Sequence, residues 1–216
     1  MVANSLLKAV SITFMLIVGT MQINAQSAAA AEVAVIQNSQ QKTDRAKNEF
    51  SVLVGWSISS PTLIGTTEDA RLGALALRYG RDVFSKKNVA LQYGVEITPV
   101  AALSLPNRTF ARRRELVYGI GVSPVGFKLN FRKEKRLQPF AGTSGGLFYF
   151  TKDVPVINAS KFNFTFDFGG GVQIFTRNKR AVTIGYKYQH ISNGGTARVN
   201  PGIDANIFYV GVSVFK

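Results

Sequence analysis

From Phe50 onward, hydrophobic and polar residues alternate with a period of two, the pattern of β-strands whose two faces meet different surroundings. Phe50, Val52, Val54, Trp56 and Ile58 share one face of a first run, against Ser51, Leu53, Gly55 and Ser57. Val89, Leu91, Tyr93, Val95 and Ile97 oppose Ala90, Gln92, Gly94, Glu96 and Thr98, and Phe162, Phe164, Phe166 and Phe168 oppose Asn163, Thr165 and Asp167. Eight such runs are expected, over 49–58, 70–81, 88–101, 115–131, 138–150, 161–175, 181–191 and 204–215. In the fourth, the apolar phase moves from even positions (Leu116, Tyr118, Ile120) to odd ones (Val125, Phe127, Leu129) around Pro124, which calls for a bulge or a bend.

The expected connections alternate long and short: 59–69, 82–87, 102–114, 132–137, 151–160, 176–180 and 192–203. This predicts an all-β protein, an eight-stranded antiparallel up-and-down transmembrane β-barrel with short periplasmic turns and longer external loops. The rival is a soluble barrel of the lipocalin kind, which would turn its apolar face inward and show water a face rich in Lys and Glu. Here the second face is mostly Gly, Ala, Ser, Thr, Asn and Gln, with charge concentrated in the connections, which suits a narrow barrel interior and a lipid-facing wall. The sequence ends Val214, Phe215, Lys216, so the terminal aromatic common in outer-membrane barrels is penultimate. Gly169, Gly170 and Gly171 lack P-loop or dinucleotide spacing and read as a bend or as small interior residues.

Ahead of the strands, Lys8, the apolar run Ala9–Met21 and small residues at Ala25 and Ser27–Ala31 follow the order of a secretory signal peptide. Residues 1–30 are therefore expected to be a cleaved leader, 31–48 a flexible lead-in and 49–216 the barrel. An uncleaved anchor is the alternative, but the apolar run falls short of the ~20 residues a spanning helix needs. The 26 Lys and Arg against 12 Asp and Glu give a net charge of +14, which favours an anionic partner, and export argues against nucleic acid. The absence of cysteine excludes disulfides and thiol catalysis. A single histidine further argues against a transition-metal cluster. No cofactor is expected, and calcium near the loops is left open.

The candidate chemistry lies in the last hairpin. Parity places Val182, Ile184, Tyr186, Tyr188, His190 and Ser192 on one face of the seventh strand, and Asp204, Asn206, Phe208, Val210, Val212 and Val214 on one face of the eighth. Same-face neighbours two apart lie roughly 6.5–7 Å apart. If even positions pair with even, Asp204 faces His190 with Cβ atoms about 5 Å apart. Ser192, His190 and Asp204 thus form a candidate set of nucleophile, general base and orienting acid. The plainer alternative makes His190 an interfacial aromatic, Ser192 the start of a loop and Asp204 a turn residue beside Pro201 and Gly202. Parity by itself favours the plainer alternative, but an ionisable group on a lipid-facing stripe is costly enough to count as a hint of function.

The segment His190, Ile191, Ser192, Asn193, Gly194, Gly195, followed by Asn200, Pro201, Gly202, Ile203, resembles the signature of outer-membrane lipid A 3-O-deacylases of the PagL type. The resemblance implies an eight-stranded barrel in the bacterial outer membrane with a serine esterase site facing the lipid. It implies His190 as general base, Ser192 as nucleophile and Asp204 at the acidic position, where the family type has glutamate. It further implies Asn193, Gly195 and Asn200 as oxyanion donors, and lipid A or lipopolysaccharide as substrate. With both termini periplasmic, the three residues would lie near the external rim. Tyr186 and Tyr188 are candidates for packing acyl chain, and Arg108, Arg112, Arg113 and Arg114, in a long external loop, for holding lipid A phosphates. The competing function is a noncatalytic barrel, structural, adhesive or a small pore.

Overall fold

The computed structural model describes residues 47–106, 114–177 and 179–216. The leader at 1–30, residues 31–46 of the lead-in, and Arg108, Arg112 and Arg113 lie outside the described residues. Eight strands follow in order: β1 (Asn48–Ser59), β2 (Arg71–Lys86), β3 (Val89–Pro106), β4 (Arg114–Phe131), β5 (Leu137–Val154), β6 (Ser160–Arg177), β7 (Arg180–Ser192) and β8 (Ile203–Phe215). Each pairs antiparallel with its neighbours, and β1 closes on β8. Closure leaves no free strand edge, which a bilayer would punish because its core offers backbone groups no hydrogen-bond partner.

The alternation read from the sequence sets the two faces. Phe50, Val52, Val54, Trp56 and Ile58 of β1, and Phe162, Phe164, Phe166 and Phe168 of β6, all point outward and are exposed. Asn163, Thr165 and Asp167 are buried inside. The phase change around Pro124 is a bulge, with the β4–β5 register shifting between Val122 and Val125.

The structure corrects the strand limits and loop lengths. β3 runs on to Pro106 because its register shifts between Thr98 and Ala101, after which Ala101, Leu103 and Leu105 face inward in the opposite phase. The third external connection, 155–159, is no longer than the periplasmic 132–136, because β5 and β6 continue beyond their expected ends. Besides the charge concentrated in the connections, the barrel interior holds ion pairs of its own. Glu49 accepts hydrogen bonds from Lys128 (2.6 Å), Gln92 (3.0 Å) and Ser213 (2.9 Å), and Lys187 pairs with Asp167 (3.1 Å). Each of these charges is an isolated charged residue in its strand, and only closure brings the partners together.

The interior also divides along its length. Leu72, Leu103, Leu105, Val117, Phe148, Phe150, Ile191 and Ile203 fill the end carrying the long connections. Phe175, Ala181 and Phe215 pack together at the other end, the two rings 4.9 Å apart. A cavity of about 120 Å³ is lined by Glu49, Arg78, Glu96, Lys128, Asp167 and Lys187, among others.

Candidate active site

β7 and β8 pair so that His190 lies directly opposite Asp204. Both belong to the outward set: the intervening Gln189 and the β8 residues Ile207 and Tyr209 line the interior cavity instead. The imidazole Nδ1 lies 2.6 Å from Asp204 Oδ1, a short contact of the kind made by charge-assisted hydrogen bonds. An aspartate therefore reaches the ring, because direct cross-strand pairing brings the two backbones close enough to offset its missing methylene. With Nδ1–H donated to the carboxylate, the other ring nitrogen, Nε2, is left as an acceptor.

Asp204 is fully buried although it points away from the lumen. Its cover is the connection between β1 and β2, whose backbone N–H groups at Leu63, Ile64 and Gly65 donate to Asp204 Oδ2 at 2.9, 2.8 and 3.0 Å. This connection is docked along the start of β8. Thr66 N–H donates to Pro201 O (2.7 Å), Thr67 Oγ1 to Gly202 O (2.5 Å), and Thr67 bridges Ile203 in parallel. Ser60 Oγ lies 2.7 Å from Asp204 O. Alternation could not reveal these groups, since backbone donors in a loop carry no side-chain signature.

Ser192 follows on the same face of β7, half-buried and paired with Phe164 of β6. Among the described residues its hydroxyl makes no hydrogen bond, so the structure joins His190 to Asp204 but not Ser192 to His190. Phe166 packs against the imidazole, ring centroids 5.4 Å apart. Gly202, with φ +66°, also lies against the ring, and a Cβ there would sit 3.0 Å from His190 Cε1. Glycine is thus required twice over, by its backbone and by the ring.

The other candidates are distributed unevenly. Asn193, Gly195 and Asn200 are brought together, but largely spend their donors on one another and their own loop. Asn193 N–H donates to Asn200 Oδ1 (3.1 Å), Asn193 Nδ2 to Val199 O (2.8 Å) and Gly195 N–H to Asn193 Oδ1 (2.9 Å). Because Asn200 presents its oxygen to Asn193, its Nδ2 is turned away and has no partner among the described residues. Arg114 is held by Asp69 Oδ2 (2.7 Å), Asp69 O (2.7 Å) and Ser104 (2.7 Å to Oγ). That guanidinium keeps the Asp69 carboxyl below the usual carboxylate range. Tyr186 is outward and open, bonded to Asn206 (2.7 Å), whereas Tyr188 is buried beside Phe166 and Phe168.

A closed eight-stranded barrel with an aromatic, apolar outer wall is an outer-membrane protein, and the His190–Asp204 hydrogen bond lies on that wall. The sequence profile of the lipid A 3-O-deacylase (PagL) family matches residues 73–213, and the chain belongs to this family of outer-membrane enzymes acting on lipid A. Among solved structures, the outer membrane enzyme PagL is similar with a TM-score of 0.57 at 14% identity, over 78% of this chain and 99% of that one. Neisserial surface protein A (NspA) is similar with a TM-score of 0.46 at 13% identity, over 78% and 96% of the two chains. OprG from Pseudomonas aeruginosa gives 0.46 at 8% identity, over 80% and 97%. No curated protein matches the chain.

Proposed function

We propose that this protein is a serine esterase that hydrolyses the ester-linked acyl chain at the 3 position of lipid A, with Ser192 as nucleophile, His190 as general base and Asp204 as its orienting acid. The observation that carries the reading is the His190–Asp204 hydrogen bond on the lipid side of the wall, with the carboxylate fixed at its other oxygen. A structural carboxylate has no need of an imidazole partner in lipid, and a girdle histidine has no need of a buried acid.

His190 Nε2 takes the Ser192 hydroxyl proton as Oγ forms a bond to the ester carbonyl carbon. Asp204 keeps the Nδ1 proton in place and stabilises the imidazolium without accepting that proton. The oxyanion is met by donors of the 193–200 loop, for which the Asn200 amide Nδ2 is the available group, while Asn193 and Gly195 hold the loop's shape. Collapse breaks the bond to the sugar 3-oxygen, which leaves with the proton from Nε2. Water then attacks the acyl-enzyme with Nε2 again as base, releasing the fatty acid and restoring the serine. Tyr186 and the exposed phenylalanines of β6 offer the departing chain an apolar path, and cationic loop residues, Arg108, Arg112 and Arg113 among them, attract the lipid A phosphates. Arg114 would have to leave Asp69 to join them.

A fluorophosphonate probe tests the chemistry directly, because it labels only an activated hydroxyl. The label is expected on the peptide containing Ser192 in the folded wild type and is expected to vanish in His190→Ala. Labelling that persists in His190→Ala, or no labelling of Ser192 at all, contradicts the serine mechanism.

A further inference from the structure

The three N–H groups on Asp204 come from a segment no catalytic motif includes. We infer that the β1–β2 connection, residues 60–67, is a positioning element of the site, and that Gly65 is the residue that lets it dock. The inference rests on the proposed roles of His190 and Asp204, and assigns the loop a part in the same reaction.

A carboxylate facing lipid has two oxygens to satisfy, and His190 supplies a donor to one alone. If Oδ2 were unpaired, the side chain could rotate about its Cβ–Cγ bond and release the Nδ1 proton, losing the tautomer that makes Nε2 a base. Three backbone donors at 2.8–3.0 Å remove that freedom. Backbone N–H groups suit this purpose because they cannot swing away as side chains do, and they add no second titrating group.

Docking depends on close backbone contact. A Cβ at Gly65 would meet Gly202 C at 2.8 Å and Ile203 N at 2.9 Å, main-chain atoms that cannot move without displacing β8 next to Asp204. Gly202 is in turn the residue pressed against His190. A side chain at position 65 therefore lifts the loop from the carboxylate, or pushes Gly202 toward the ring. The same segment turns Leu63 and Ile64 outward, 74% and 57% exposed, so the residues that grip Asp204 also carry the apolar side chains beside it. Acyl chains in the external leaflet would press this loop against the wall, coupling lipid-filled surroundings to an aligned site.

His190 is the only histidine in the sequence, so its imidazole gives a single, unambiguous NMR signature. The test compares full-length wild type, Gly65→Ala and Gly73→Ala in detergent micelles, using ¹⁵N-histidine spectra together with deacylation of purified lipid A. Gly73 is the control, because a Cβ there meets nothing nearer than Gly55 O at 4.0 Å. Gly65→Ala is expected to keep heat-modifiable migration, to lose or shift the hydrogen-bonded Nδ1–H resonance, and to lower kcat at least tenfold with KM changed less than twofold. Gly73→Ala is expected to change none of these. If Gly65→Ala does not assemble, Thr67→Val, which removes the bond to Gly202 O, is expected to shift the same resonance. An unchanged His190 resonance in an assembled Gly65→Ala, or in Thr67→Val where Gly65→Ala does not assemble, overturns the inference. A shifted resonance in a barrel whose wild type does not deacylate lipid A would sustain the positioning role of the loop and refute the catalytic reading instead.

Discussion

At Asp204 one carboxylate meets four hydrogen-bond donors, His190 on Oδ1 and the N–H groups of Leu63, Ile64 and Gly65 on Oδ2. The cost of removing a charge from water is met only by such complete pairing. Asp204→Asn tests whether the charge or only the shape matters. Its amide can satisfy Nδ1 only by turning its oxygen toward it, and it supplies no charge to stabilise the imidazolium. A fall in kcat of about 10³–10⁴-fold is expected, as in triads whose acid is neutralised, with the barrel still assembled; steady-state deacylation kinetics measure it. Retention of more than a tenth of wild-type kcat would show that Asp204 does not orient the base. The pair itself was legible, because strand parity and opposite register depend on counting alone. The carboxylate's other partners were not, since the sequence does not say which loop backbone folds over a strand. The oxyanion candidates illustrate the same limit: Asn193, Gly195 and Asn200 do meet, but their mutual hydrogen bonds become visible only with the loop folded.

Strand length shapes access to the site. A bilayer is crossed by ~9–11 tilted residues, and β3, β4, β5 and β6 each have 18. β1, β7 and β8 have only 12 or 13, so the wall is lowest where the His190–Asp204 pair sits. The eight strands were legible because each outward stripe is nearly pure. Their ends were not, because register shifts such as that between Thr98 and Ala101 reverse the phase and make a continuing strand resemble a loop. The assignment of the apolar stripes to lipid is tested within one strand. Val54 lies mid-β1 and points outward, so Val54→Arg is expected to cost about 2–4 kcal/mol in equilibrium unfolding from vesicles, the penalty for a cation at the bilayer midplane. A cost near zero would place that face in water.

Across the whole molecule, the barrel is held by its interior as well as by its lipid-facing wall. Glu49 of β1 joins Lys128 of β4, Gln92 of β3, Gln173 of β6 and Ser213 of β8, so one carboxylate ties together strands far apart in sequence. Glu49→Ala removes the carboxylate paired with the buried Lys128 and is expected to cost about 3–5 kcal/mol in the same unfolding measurement. Glu115→Ala, which breaks the exposed pair with Lys152, is expected to cost no more than about 1 kcal/mol. Equal costs would mean that the interior pair is solvated. An apolar cluster fills the external end of the lumen, and the proposed chemistry lies on the outer wall. There the central claim meets its most direct measurement, mass spectrometry of lipid A from cells expressing the wild type or Ser192→Ala. The account predicts lipid A lacking one ester-linked 3-position acyl chain with the wild type and fully acylated lipid A with Ser192→Ala; identical acylation in the two would contradict it.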